Sequence, residues 1–194
     1  MTRPRYGFDA PPFLIGLGIA SLLMLAAGII GFALGGWVVG LWPLIFAVYF
    51  AASALLYLHA TRRGKFAVWA EILDGLALRG DEQALDLGCG RGAVLIAVAR
   101  RLTTGRASGA DLWRTADQSG NAEAVTRANA EAAGVADRVS LDTADMTALP
   151  YPDESFDLIV SSLAIHNIHS APGRLRALDE ALRVLGGTLA ADQA

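Results

Sequence analysis

The sequence predicts an α/β domain built on a doubly wound parallel sheet and preceded by two membrane-spanning helices. Three observations lead there. From Ala10 to Leu58, 49 consecutive residues contain no Asp, Glu, Lys, Arg or His. All 35 charged residues (16 basic, 19 acidic) lie in the remaining 145, roughly the one-in-four density of a water-soluble domain. Beyond residue 65, short apolar runs alternate with helical periodicities, and the first of those runs leads into a glycine-rich turn.

The uncharged run comes first in the chain. One span needs about 20 apolar residues, so the run accommodates two spans and a turn. The apolar core of a secretory signal is only about 7–15 residues, too short to account for it. Gly35, Gly36, Gly40 and Pro43 cluster in the middle, where Trp37 and Trp42 suit an interfacial belt. Helices are therefore expected at about 13–34 and 41–58, forming an anchor over residues 1–60. Tyr6, Phe8 and Tyr57 would mark the opposite interface. Ala27, Gly31 and Gly35, spaced by four, suit close helix packing. A single long tilted helix is the alternative. Arg3 and Arg5 precede the run, and Arg62, Arg63 and Lys65 follow it. The positive-inside rule then puts both termini and the rest of the chain in the cytoplasm, with the lipid bilayer as a partner.

The domain expected over 65–194 reads as follows. Phe66, Trp69, Ile72, Leu73 and Leu76 recur at helical spacing over 65–78. A strand at 84–87 is followed by a glycine-rich turn and a helix at about 93–102. A strand at 107–111 precedes a helix at 121–133, which Gly134 would stop. Strands at 139–142 and 156–161 come next. A helix at 172–185 has Pro172 in its first turn and Gly186 past its end, and a fifth strand spans 188–191. Strands alternating with helices imply parallel pairing with right-handed crossovers.

Composition removes several function classes. The net charge is −3 and Lys65 is the only lysine, so no nucleic-acid-binding face is expected. A single cysteine, Cys89, excludes an intrachain disulfide and a multi-cysteine metal site, and no metal is expected.

The chemistry starts at Ala84-Leu-Asp-Leu-Gly-Cys-Gly-Arg-Gly92. Glycines between a strand and a helix let backbone approach a ligand closely. Asp111, at the end of the next strand, could accept hydrogen bonds from ribose hydroxyls. Gly88, Gly90 and Ala93 also satisfy the G-x-G-x-x-A dinucleotide fingerprint. Asp86 discriminates between the ligand classes. A carboxylate two residues before the first glycine would repel a diphosphate and suit a cation carrying a sulfonium and an ammonium. S-adenosyl-L-methionine is such a ligand.

These residues resemble a known family. Residues 66–192 look like a class I S-adenosylmethionine-dependent methyltransferase (type 11-like), of the broad group that includes quinone-biosynthesis enzymes. Residues 84–92 match the first motif of that family, and Asp111-Leu-Trp113 the acidic second motif. Asp145-Met-Thr-Ala-Leu-Pro-Tyr-Pro-Asp-Glu-Ser-Phe-Asp-Leu-Ile159 matches a third. The resemblance implies a Rossmann-like sheet, with S-adenosyl-L-methionine as cofactor. It implies that Gly88, Gly90 and Gly92 pack on the methionine part and that Asp86 organises its amino-acid end. Asp111 would hold the ribose, with Leu112 on the adenine and Trp113 beside it. Asp145 would receive the adenine amino group with Met146 flanking. Ser161 and Ser162 would face the site of transfer.

Other residues carry blander expectations. Cys89 reads as a small filler, Arg91 as a solvated charge and Asp157 as structural. Asp153 and Glu154 read as loop residues. Ser119 or Asn121 is expected to cap the following helix. His166 and His169 follow the fourth strand, at the sheet edge where ligands bind. His166 is the candidate base if the acceptor must lose a proton; the alternative is a packing or helix-capping histidine.

The family usually has seven strands, and here the chain stops at Ala194, just after the fifth. A truncated, degenerate or partner-completed domain is therefore expected, with a partner covering the open sheet edge. The leading expectation is a membrane-anchored methyltransferase acting on a small or lipophilic acceptor. A non-catalytic S-adenosylmethionine-binding membrane protein and a nicotinamide-dependent reductase are the competing readings.

Overall fold

A computed structural model describes residues 4–7, 11–115 and 120–186. The chain divides into two compact units, Phe8–Ala67 on one hand and Met1–Gly7 with Val68–Ala194 on the other.

The Phe8–Ala67 unit is a helical hairpin. Helix α1 spans Pro11–Gly35 and α2 spans Trp37–His59. Phe13 meets Tyr57 with ring centroids 5.2 Å apart, and Ser21 Oγ donates to Ala47 O at 2.9 Å. Gly28 packs against Leu44, and Gly35 against Val39. These pairs run in opposite directions along the two helices, so the helices are antiparallel and the single-helix alternative falls. Both helices are long and apolar enough to cross a membrane by length and composition.

Two expectations change here. The turn is one residue, Gly36, at φ 79, a conformation that suits glycine. Helix α2 therefore begins at Trp37 and not near 41, and Pro43 lies inside it. Proline has no N–H to offer the carbonyl four residues back, which is that of Val39. That carbonyl lies against Gly31, where a Cβ would stand only 2.9 Å from the oxygen. The packed stripe keeps Gly31 and Gly35 but takes Gly28 in place of Ala27. Gly28 and Gly31 are buried whereas Ala27 is exposed, because 28, 31 and 35 share the face turned to α2.

In the other unit, helix α3 (Lys65–Gly75) contributes from Val68 onward. Strand β1 (Gln83–Leu87) leads to α4 (Ala93–Ala99), then β2 (Arg106–Asp111), α5 (Glu123–Ala133), β3 (Val139–Thr143), β4 (Leu158–Val160) and α6 (Ala171–Val184). The described strands form one parallel sheet in the order β3-β2-β1-β4. Its residues alternate between two cores. Ala84 packs with Leu73, Leu95 and Val98, and Leu85 and Leu87 pack with Leu149, Phe156 and Val184. Both faces of the sheet are thus covered, as a doubly wound arrangement requires.

Gly134 ends α5 in the left-handed conformation, φ 73. Pro172 lies in the first turn of α6, and Ser170 caps that helix by accepting from Gly173 N. Helix α4 is shorter than expected because the chain turns after Ala99. Strand β4 is also shorter than expected. Phe156 forms an isolated parallel bridge with Leu185, while Asp157 Oδ2 accepts from Gln83 N at 2.8 Å. Asp157 is structural, as expected: its carboxylate takes the place of a backbone acceptor. The fifth strand expected at 188–191 lies outside the described residues.

Candidate active site

The carboxyl ends of all four described strands meet at one edge of the sheet. After β1 the chain turns through Gly88, Gly90 and Gly92, at φ 70, 51 and 80. Gly88 N donates to Ala110 O at 2.8 Å, which ties the loop to β2. A side chain at Gly88 would collide with the Ala164 Cβ and crowd Met146 Cε at 3.3 Å. The chain is drawn tight at Gly88, and residues that follow β3 and β4 close around it.

Asp111 at the end of β2 organises the loop. Its Oδ2 accepts from Gly90 N at 2.8 Å, and its Oδ1 from Trp113 N at 2.6 Å and Asn121 Nδ2 at 3.0 Å. Asn121 is therefore not the helix cap. Ala122 occupies that position without a side-chain bond, while the Asn121 amide is buried against Asp111. Ser119 lies outside the described residues. Leu112 is 39% exposed at the strand tip, and the Trp113 indole donates to Thr143 Oγ1 at 2.9 Å.

Asp145 follows β3 and is exposed. The N–H and hydroxyl of Thr147 both donate to its Oδ1 at 2.8 Å and hold the carboxyl below its ordinary range. The next turn is clamped by Arg183, which binds Glu180, Asp153 and the carbonyls of Leu149 and Tyr151. Ser161 Oγ, after β4, donates to Leu87 O at 2.9 Å and ties the ends of β4 and β1 together. Ser162 Oγ accepts from Trp69 Nε1 at 3.1 Å. His166 sits on a single 3-10 turn, Ile165–Asn167, with its side chain exposed, and His169 is exposed too. The cap of α6 is Ser170, so the helix-capping alternative for these histidines fails.

Asp86 lies on the α4 face of β1 and is only 3% exposed. Burial pushes its pKa up to about 7 against the backbone N–H of Leu95, with the charge of Asp111 adding to the rise. Its Oδ1 is buried without a partner, as is Asn121 Oδ1. Both are acceptors. A ligand that fits must bring donors and positive charge. S-adenosyl-L-methionine brings an ammonium, a sulfonium and ribose hydroxyls, so the residues present fit it. A diphosphate brings neither donors nor positive charge. Among the described residues, no cluster of three or more His, Cys, Asp or Glu could hold a metal ion.

Residues 84–187, more than half of the chain, match the methyltransferase domain family. The chain belongs to that family. The methyltransferase domain takes S-adenosyl-L-methionine as cofactor, which decides against a nicotinamide. The chain is 39% identical over 119 residues to the 27-O-demethylrifamycin SV methyltransferase of Amycolatopsis mediterranei, covering 59% of this chain and 39% of that protein. It is 35% identical over 129 residues to the ubiquinone/menaquinone biosynthesis C-methyltransferase UbiE of Roseobacter denitrificans, covering 65% and 48%. The chain thus spans less than half the length of either relative. Among solved structures, YcgJ of Bacillus subtilis superposes with a TM-score of 0.51 at 24% identity, covering 61% of this chain and 45% of that one. A SAM-dependent methyltransferase from Aquifex aeolicus gives 0.50 at 20%, covering 61% and 58%. These two likenesses establish the fold.

Several residues of the methyltransferase edge carry no motif signal. Trp69 and Ala164 reach the edge only through tertiary packing. Asn129 is 5% exposed, and its side chain pairs with the backbone of Arg5 on both sides (2.8 and 3.2 Å) and donates to Arg91 O at 2.9 Å. Arg91 is correspondingly not a solvated charge: it is partly buried, with its guanidinium against Gly7. A lone Asn or Arg in a helix or loop gives no hint of such pairing. Cys89 is buried, as a small filler should be, and burial pushes its thiol pKa up.

Proposed function

We propose that this protein is a membrane-anchored methyltransferase that moves the methyl group of S-adenosyl-L-methionine to a small or lipophilic acceptor near the cytoplasmic leaflet. The observation that carries it is the convergence of Asp86, Asp111 and Asp145 with the Gly88–Gly92 turn at one sheet edge of a methyltransferase domain. The names of two relatives, a rifamycin O-methyltransferase and a quinone C-methyltransferase, support a small acceptor. Two apolar helices flanked by Arg5, Arg62, Arg63 and Lys65 support an anchor with both ends on the cytoplasmic side.

The cofactor, when bound, supplies a methyl already activated on sulfur. Asp86 Oδ1 would accept from its ammonium, which would stabilise the carboxylate's charge. Asp111 and Asn121 would accept from the ribose hydroxyls. Leu112 would pack on the adenine, with Asp145 receiving its amino group and Met146 flanking it. Gly88, Gly90 and Gly92 would let the methionine end approach the backbone. Ser161, which ties the end of β4 to Leu87 O, would support the transfer site. Transfer is an in-line displacement, so holding donor and acceptor aligned is the main task of the protein. His166 takes the proton where the acceptor is a hydroxyl or carbon acid.

Full-length protein in detergent tests this reading. Calorimetry should detect S-adenosylhomocysteine and not NAD. Labelled methyl should pass from S-adenosylmethionine into a lipid-soluble product of a membrane extract. The protein should stay in the membrane through carbonate extraction. Binding without transfer to any extract would favour a non-catalytic role, and absence of binding would end the proposal.

A further inference from the structure

The segment after β4 is pinned from three directions. Ser161 is bonded to Leu87 O, Ser162 receives the Trp69 indole N–H, and Ala164 is wedged against Gly88. Between these points, Leu163 is forced to φ 55 and is 68% exposed. A bulky residue in the left-handed region is uncommon, and it persists only where its surroundings over-determine the backbone. Glycine or asparagine would take this conformation with less strain, and a polar residue would suit the exposure. Leucine meets neither preference. What the strained backbone achieves is to hold one large apolar side chain out from the sheet edge, next to the residue that abuts Gly88.

We propose that Leu163 is a specificity-determining residue that contacts the methyl acceptor and selects for apolar substituents on it. The proposal rests on the methyltransferase reading above and adds a residue that the cofactor does not need. Leu163 follows β4, on the side of β1 away from β2, which ends in Asp111 and leads into Leu112. An acceptor reaching the methyl over Gly88 passes the Ala164 wedge and meets Leu163. A purely polar acceptor gains nothing there. An alkylated one buries apolar surface against the leucine, and because the strand end is fixed, little ordering is required on binding.

The test uses full-length protein in detergent, saturated with S-adenosylhomocysteine. The probes are tert-butylhydroquinone and unsubstituted hydroquinone, with partition into protein-free micelles subtracted. The wild type should bind the alkylated probe more tightly. Leu163→Gly and Leu163→Asn relieve the backbone, so both should melt at or above the wild-type temperature and keep S-adenosylhomocysteine affinity within about twofold. Both should bind tert-butylhydroquinone about tenfold more weakly, with hydroquinone unchanged. A wild type that does not distinguish the probes overturns the inference, as do variants that bind the alkylated probe like wild type. Failure of the wild type to bind S-adenosylhomocysteine is a separate readout. It would overturn the methyltransferase reading, and this inference with it.

Discussion

Asp111 Oδ2 accepts a hydrogen bond from Gly90 N at 2.8 Å, so the carboxylate that closes β2 also shapes the turn that follows β1. Its other oxygen holds Trp113 N and Asn121 Nδ2. Three donors converge on one charged acceptor. Asp111→Asn keeps the size and removes the charge, leaving one oxygen for three donors. We expect a stability loss of about 1–3 kcal/mol in urea unfolding. S-adenosylhomocysteine affinity should fall at least about tenfold, because the lost bonds shape the binding turn. An unchanged affinity would mean that the turn holds its form without Asp111.

Asp86 makes binding depend on pH. Burial raises its folded pKa to about 7, whereas an unfolded aspartate titrates near 3.9. The neutral form is favoured in the ligand-free fold. Its contribution to stability is therefore full below about pH 4 and lost as pH rises through about 7. A cationic ligand prefers the ionised form. Affinity for S-adenosylmethionine should rise with pH by up to about tenfold per unit below 7 and then level off. Asp86→Asn should flatten both profiles. A wild-type affinity constant from pH 5.5 to 8 would contradict this account.

Gly88 and Gly134 share nearly the same positive φ, 70 and 73. Only Gly88 has neighbours where a Cβ would go; Gly134 has none within 4 Å. The pair separates conformational cost from steric cost. Gly134→Ala should destabilise by about 1–2 kcal/mol. Gly88→Ala should cost about 1–3 kcal/mol more through the collision with Ala164. It should also abolish S-adenosylhomocysteine binding. Equal destabilisation in urea titrations would show that the β4 end yields freely.

Asn129→Ala removes three hydrogen bonds, two to the backbone of Arg5 and one to Arg91 O. A loss of about 1–3 kcal/mol is expected. Amide exchange at Arg5 should accelerate well before exchange in β1, which hydrogen–deuterium exchange read by mass spectrometry would reveal. Equal rates in variant and wild type would show that residues 4–7 are held without the Asn129 bonds.

The sheet and its order of elements were legible because alternation and glycine punctuation are local signals. Ala84–Leu87 and Gly134 are examples. The motif carboxylates were legible for the same reason: Asp86 lies in β1, Asp111 ends β2 and Asp145 comes two residues after β3. What the sequence hid is long-range. Asn121 reads as a cap because Asn favours that position, but the half-buried Asp111 carboxylate is the better acceptor partner for its amide. Trp69 reads as one more apolar helix residue, and its bond to Ser162 spans 93 positions. The sequence marks the hairpin turn too broadly because four turn-forming residues cluster there, and Gly36 alone suffices.

The Asn129 amide recognises Arg5 through main-chain atoms only, one as donor and one as acceptor. It acts as a substitute peptide group and is blind to the side chain it holds. Residue 5 can therefore drift through almost the whole amino-acid alphabet without loosening the clamp. Proline is the exception, since it has no N–H to give. The guanidinium of Arg5 remains available for selection on other grounds, while the order of the segment is secured by a residue 124 positions away.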